Sequence, residues 1–137
     1  MTPVHDDHIR TLVKRPAVKV HHEATLRSVA ETFTEESIGA AVVKDTDPPG
    51  IVSERDIVRA LAEGADPDQE RAGEIMTEDI ASVSPDESIL RSVALMLANE
   101  IRHLPVIEDG VVVGVVSARD TLHLLADEVW AEHGQRK

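Results

Sequence analysis

The chain has 137 residues, with 26 acidic side chains against 14 basic ones, a formal net charge of −12 and no cysteine. That acidity argues against a nucleic-acid binder, whose affinity comes mainly from cationic contacts with phosphates, and the missing cysteines exclude disulfides and a thiol nucleophile. Phe33 and Trp130 are the only aromatic residues besides histidine, too few for a base-stacking platform, and no apolar run is long enough to span a bilayer.

In chain order, residues 1–16 form a lead-in segment, followed by a first repeat over 17–64. Its first helix is predicted over 26–36, with Leu26, Val29, Ala30 and Phe33 on one stripe. Two short apolar strands follow, over 40–44 and 51–52, joined by the turn-rich Asp45-Thr46-Asp47-Pro48-Pro49-Gly50. A closing helix runs from 54 to about 63. Residues 65–79 read as a linker carrying Asp66-Pro67-Asp68-Gln69-Glu70, which lacks the spacing of a calcium loop and reads as solvated. The second repeat, over 80–127, has a helix over 89–100 with Ile89, Val93, Met96 and Leu97 inward. Its strands over 104–107 and 111–116 are joined by Glu108-Asp109-Gly110, a hairpin signal. A last helix runs from 118 to about 132, and residues 128–137 are its end and a tail. The class is α/β (α+β), with tandem pseudo-two-fold β-α-β-β-α repeats stacked sheet against sheet, since neither unit covers its apolar face alone.

The repetition is explicit in sequence. Gly50-Ile51-Val52-Ser53-Glu54-Arg55-Asp56 returns 64 positions later as Gly114-Val115-Val116-Ser117-Ala118-Arg119-Asp120. Upstream the shift is 63, pairing Gly39-Ala40 with Arg102-His103, Thr25-Leu26 with Ser88-Ile89, and Leu12-Val13-Lys14 with Ile75-Met76-Thr77. Two copies are too few for a solenoid, so a closed pseudo-symmetric pair is expected.

The repeated Ser-x-x-Asp has two physical readings. Ahead of an apolar run it is a helix capping box, in which Ser accepts from the N3 amide and the acid reaches back. The same geometry makes a phosphate seat. A strand that delivers Ser and Asp to a helix N-terminus leaves amides and the positive end of the dipole facing outward. Gly permits close backbone approach, Asp can accept ribose hydroxyls, and the adjacent Arg is a bidentate phosphate donor.

From Leu12 to Leu125 the chain resembles a CBS-domain pair, or Bateman module. The carrying residues are Gly50-Ile51-Val52-Ser53 with Asp56, Gly114-Val115-Val116-Ser117 with Asp120, Arg102-His103-Leu104-Pro105-Val106, Ile75-Met76-Thr77 and Val83-Ser84-Pro85-Asp86. The resemblance implies a regulatory module, not an enzyme, that binds adenosine-containing ligands such as AMP, ADP, ATP or S-adenosylmethionine in two clefts between the repeats. No cofactor is required beyond that regulatory ligand. It also implies a homodimer, acting alone or on a regulated protein in trans. With little chain left over, a stand-alone cytoplasmic protein is expected, with no nucleic-acid or membrane partner.

Carried over residue by residue, the resemblance implies two unequal sites. In the first, Asp56 holds the ribose, Ser53 and the helix amides hold phosphate, and Ile51, Ile80 and Ala81 wall the base. Arg102, His103 and Arg119 add phosphate donors there. In the second, Asp120 and Ser117 take those roles, with Val115, Ala17 and Val18 around the base and Arg55 as a donor. Gly39 and Ala40 stand where Arg102 and His103 stand in the first, and donate nothing from side chains. The rival reading is a structural or dimerisation module in which Ser53/Asp56 and Ser117/Asp120 persist only as caps.

Other residues carry less. His5, His8, His21 and His22 read as surface histidines and no metal is expected, because adjacent His21-His22 lacks helical i,i+4 ligand spacing. No Gly-x-Ser-x-Gly elbow accompanies either repeated serine, which disfavours a hydrolase triad. Trp130, after Leu122, Leu125, Ala126 and Val129, reads as a core or dimer contact.

Overall fold

The computed structural model describes residues 7–133. The chain divides into two compact units, one comprising Ala17–Ile80 and the other Met1–Pro16 with Ala81–Lys137.

In the Ala17–Ile80 unit, β1 (Lys19–His21) pairs parallel with β2 (Ala40–Lys44), and β2 pairs antiparallel with β3 (Gly50–Ser53). Between β1 and β2 runs α1 (Leu26–Glu36), and α2 (Glu54–Ala62) and α3 (Ala72–Ile75) follow β3. The helical stripe delivers Leu26, Val29 and Phe33 to the interior. Val29 and Phe33 join Val20, Ala41, Val43, Val52, Ile57 and Ala72 in one apolar core. Four consecutive buried residues in β2, Ala40 to Val43, mark it as the central strand. The acidic turn 66–70 is exposed yet fixed. Its Glu70 and Pro67 carbonyls accept the first α1 amides, from Leu26 and Arg27. The Arg27 guanidinium binds Asp68 and holds its carboxyl below the usual carboxylate range.

In the second unit, α4 (Ile89–Ala98) precedes β4 (His103–Glu108) and β5 (Val111–Ser117), an antiparallel pair leading into α5 (Ala118–His133). Asp109 and Gly110 both adopt positive φ, 52° and 78°, as the predicted hairpin turn requires. The first strand of this repeat shrinks to a parallel bridge between Val83 and Val106. Ile9, Val83, Ile89, Met96, Leu104, Val106 and Val116 form the core. Leu97, expected inward, is instead 76% exposed. The buried line of α4 is Ile89, Ser92 and Met96, and Ser92 enters it at no polar cost because its hydroxyl donates to the Ser88 carbonyl at 2.9 Å. Leu97 lies one residue round the helix from that line. On α5, Leu122, Leu125 and Val129 are exposed, while Trp130 is partly buried.

The lead-ins are exchanged. A short 3₁₀ turn over Ile9–Leu12 packs into the unit built from 81–137, whereas α3, within the stretch read from sequence as linker, packs into the unit built from 17–80. Their backbone bonds match at a constant shift of 63. The amides of Ile9 and Arg10 donate to Glu87 and Pro85, and those of Ala72 and Gly73 donate to Ala24 and His22. The Ile89 amide donates to Asp7, and that of Leu26 to Glu70. Ile9 and Ala72, the paired residues at these junctions, are both fully buried. Among the described residues no helix is long and apolar enough to cross a membrane.

Candidate functional site

Both repeated motifs close as caps. Ser53 precedes α2, its amide donating to Asp56 Oδ2 at 2.8 Å, while the Asp56 amide donates to Ser53 Oγ at 3.3 Å. The Ser53 hydroxyl also donates to Asp56 Oδ2, at 3.0 Å. Ahead of α5 the Ser117 amide donates to Asp120 Oδ2 at 2.8 Å and the Asp120 amide to Ser117 Oγ at 3.1 Å. Each cap uses Oδ2 of its carboxylate, so Oδ1 takes no part in it. Both aspartates are partly buried, which places a formal negative charge at a helix N-terminus, where the dipole favours it. Capping and ligand binding are therefore compatible roles for one side chain.

Sheet register sets the neighbours. Ala40 lies opposite Ser53 in the β2–β3 pair, and His103 lies opposite Ser117 in β4–β5. The Gly39 carbonyl accepts from the Glu54 amide at 2.9 Å, and the Arg102 carbonyl accepts from the Ala118 amide at 2.8 Å. Gly39/Ala40 and Arg102/His103 thus occupy equivalent places, each touching the start of its own repeat's second helix. The Ala17–Ile80 unit presents Ser53 and Asp56 beside a small, buried Ala40, whereas the other presents Ser117 and Asp120 beside an imidazole and an exposed Arg102. Arg55 and Arg119 are exposed in the first turns of α2 and α5.

The apolar residues assigned to base recognition split by burial. Ile51 is 4% exposed, and its backbone exchanges two hydrogen bonds with Thr77, at 2.9 and 2.8 Å. Ile51 is therefore largely committed to its own unit. Val115, Ala17, Val18, Ile80 and Ala81 are partly buried. Val18 also anchors the sheet, its carbonyl accepting from the Val42 amide at 2.9 Å.

The repeated glycines have an internal cause. A Cβ on Gly50 would meet Met76 Sδ at 2.5 Å, and one on Gly114 would meet Val13 Cγ1 at 2.7 Å. Neither glycine adopts the left-handed region. Met76 and Val13 are themselves repeat partners, so each glycine makes room for an exchanged lead-in rather than for an approaching phosphate. Gly114→Ala is expected to destabilise the fold by about 1–3 kcal/mol through overpacking against a stiff, β-branched side chain. Gly50→Ala should cost less, because the Met76 thioether can swing aside. Thermal denaturation of both variants checks that order.

Among the described histidines read as surface residues, His8 and His21 are exposed and His22 is partly buried. His5 lies outside the described residues, and His8 is exposed beside Ser88. His21 and His22 are joined by Asp45, three residues whose ligating atoms all lie within 4.8 Å of one another. Sequence spacing within one helix could not find this group, because its third member arrives from the end of a neighbouring strand.

The CBS-domain family model matches residues 9–63 and 72–127. Mitochondrial CBS domain-containing protein CBSX3 of Arabidopsis thaliana is 33% identical over 111 residues, covering 76% of this chain and 54% of that protein. The chain spans about half the length of the first curated relatives it matches, from 44% to 60%. Among solved structures, a CBS-domain-containing protein from Agrobacterium tumefaciens is 29% identical with a TM-score of 0.79, covering 87% of this chain and 99% of that one. A CBS-domain protein from Pyrobaculum aerophilum, solved in complex with AMP, is 33% identical with a TM-score of 0.73, covering 88% and 99%. With two matches to the family, falling on two copies that share cap, register and lead-in bonding, this chain belongs to the CBS-domain family as a CBS-domain pair.

Proposed function

We propose that the pair is a regulatory ligand-binding module that senses adenosine-containing nucleotides and performs no catalysis. The observation that carries this reading is the twice-built Ser-Asp cap, which satisfies the helix N-terminus with Oδ2; in this reading Oδ1 accepts from a ligand hydroxyl. The AMP complex of the Pyrobaculum aerophilum protein supports the adenosyl class. In this reading the first site takes ribose on Asp56, phosphate on Ser53, Arg102, His103 and Arg119, and the base against Ile51, Ile80 and Ala81. The second takes ribose on Asp120 and phosphate on Ser117 and Arg55, with the base against Val115, Ala17 and Val18 and with Gly39 and Ala40 contributing backbone only. A homodimer joined through exposed apolar helix surface fits Leu90, Leu97, Leu122, Leu125 and Val129. The ligand then changes dimer geometry or the behaviour of a protein partner.

A second reading, a dimerisation module with vestigial sites, draws on the completeness of the Ser53–Asp56 cap, which explains both residues without a ligand. A thermal-shift panel of AMP, ADP, ATP, S-adenosylmethionine, NAD and GTP separates the two. Ligand at a hundred times its dissociation constant stabilises the native state by about 2.7 kcal/mol, a rise of several degrees for a chain of this size. Selective stabilisation by adenosyl compounds is expected. A flat panel on nucleotide-free protein would leave the caps as caps.

A further inference from the structure

We infer that the first repeat carries a binding site for one divalent transition-metal ion, formed by His21, His22 and Asp45. His21 ends β1, His22 follows it in the next turn, and Asp45 directly follows β2, the parallel neighbour of β1 in which Lys44 lies opposite His21. Pairing of these two strands brings all three side chains to one sheet end, with one potential ligand atom from each inside a 4.8 Å span. His21 Nε2 stands 3.1 Å from Asp45 Oδ2, close to the separation of about 3.3 Å between neighbouring ligands of a tetrahedral ion with bonds of about 2.0–2.1 Å. Two imidazoles and a carboxylate suit zinc and its neighbours rather than calcium or magnesium, which favour all-oxygen sites.

Two further observations point the same way. His22 Nδ1 is buried with no hydrogen-bond partner, an orphaned polar atom of the kind a bound ion or water satisfies. His22 is also held in place: its carbonyl accepts from the Gly73 amide at 2.8 Å, and a Cβ on Gly73 would meet that carbonyl at 3.1 Å and His22 Cβ at 3.3 Å. The second repeat then serves as an internal control. At the shift of 63, Ser84, Pro85 and Glu108 stand in place of His21, His22 and Asp45, and Arg10 stands in place of Gly73. Arg10 there bonds Asp86 and Glu108, filling with a guanidinium the position that the first repeat leaves to a cation. Since the repeat folds with Ser84 and Pro85, the fold does not demand paired imidazoles. Their presence in one copy is a local addition.

The side chains of His21 and Asp45 are 44% and 55% exposed, so the site is open, with positions left for water or another ligand. Binding has one built-in cost. The Glu23 amide donates to His21 Nδ1 at 3.1 Å, which puts the ring proton on Nε2 beside Asp45. An ion at Nε2 displaces that proton, and the Glu23 bond is given up when Nδ1 takes one instead.

Titration of the full chain with Zn²⁺ by calorimetry, and with Co²⁺ by visible absorption, tests the site. One ion per chain is expected, and the Co²⁺ bands report the nitrogen–oxygen donor set. His22→Ala and Asp45→Asn should each weaken binding at least about tenfold, since losing a ligand costs more than losing an outer partner. His21→Ser, which installs the residue of the second repeat, should do the same while keeping the melting temperature of the metal-free chain. His8→Ala should leave binding unchanged. Binding weaker than about 1 mM, or affinity unchanged in the His21, His22 and Asp45 variants, would overturn the inference.

Discussion

Replacing Asp56 by Ala is expected to lower ADP affinity by roughly 10–100-fold, and replacing Asp120 by Ala to lower it far less. A carboxylate that accepts a ribose hydroxyl makes a charged hydrogen bond worth about 1.5–3 kcal/mol, and about 1.4 kcal/mol is a factor of ten in dissociation constant. The two aspartates are built alike, each bonding its Ser amide at 2.8 Å through Oδ2. The difference between the variants therefore comes from what surrounds them. Asp56 is proposed to share its ligand with Arg102, His103 and Arg119, whereas Asp120 is proposed to share its ligand with Arg55 and with Gly39 and Ala40, which bring no side-chain donor. Each well-desolvated Arg–phosphate bond adds about 1.5–3 kcal/mol, so ADP should fill the Asp56 site first.

Titration calorimetry of both variants reads that order, and equal losses would remove the asymmetry. Cap loss is a shared background, since either Asp→Ala change also leaves a Ser amide unbonded and costs about 0.5–2 kcal/mol of stability. Denaturation curves of the two variants should nearly coincide while their ADP affinities separate. A drop in affinity that merely tracked stability would return both residues to the role of caps.

Much of this was legible in the sequence, because local signals and packing agree. The 3.6-residue stripe placed α1 at its observed bounds, and Glu108-Asp109-Gly110 gave the hairpin through two positive-φ residues. The Ser-x-x-Asp spacing gave both caps. What escaped is long-range. Leu97 reads as an inward apolar residue, yet the interior admits Ser92 because a bond to Ser88 satisfies its hydroxyl. The glycines read as space for a ligand, whereas Met76 and Val13 fill that space from segments 26 and 101 residues away in the chain. The grouping of His21, His22 and Asp45 depends on a strand pairing that no single window contains. Helix ends were also faint. Ser37 and Glu100 stop α1 and α4 in the left-handed conformation without being glycine, each followed by a six-to-one bond, Ile38 to Phe33 and Ile101 to Met96.

The lead-in exchange carries the largest expected effect on stability. Ile9 is fully buried in the core with Ile89, Met96, Leu104, Val106 and Val116, although it stands 72 residues before the nearest part of the chain that its unit otherwise uses. Ile9→Ala should therefore cost about 2–5 kcal/mol, the transfer term plus the cavity left behind, and lower the melting temperature by on the order of 10 °C. A lead-in that only decorated the surface would change stability by less than about 0.5 kcal/mol. Its repeat partner, Ala72, is equally buried but far smaller, so the reciprocal change acts through the opposite term. Ala72→Ile adds volume where the core formed by Val20, Val29, Val52 and Ile57 is already closed, and overpacking should cost about 1–3 kcal/mol. Combining the two changes should not restore stability, because they fall in separate cores and the volume lost from one is not the volume added to the other. The exchange would be refuted as a folding determinant if Ile9→Ala melted with the parent chain. If it melts well below, the turn over Ile9–Leu12 is part of the second unit's interior, and a deletion that starts the protein at β1 would lose that unit rather than a tail.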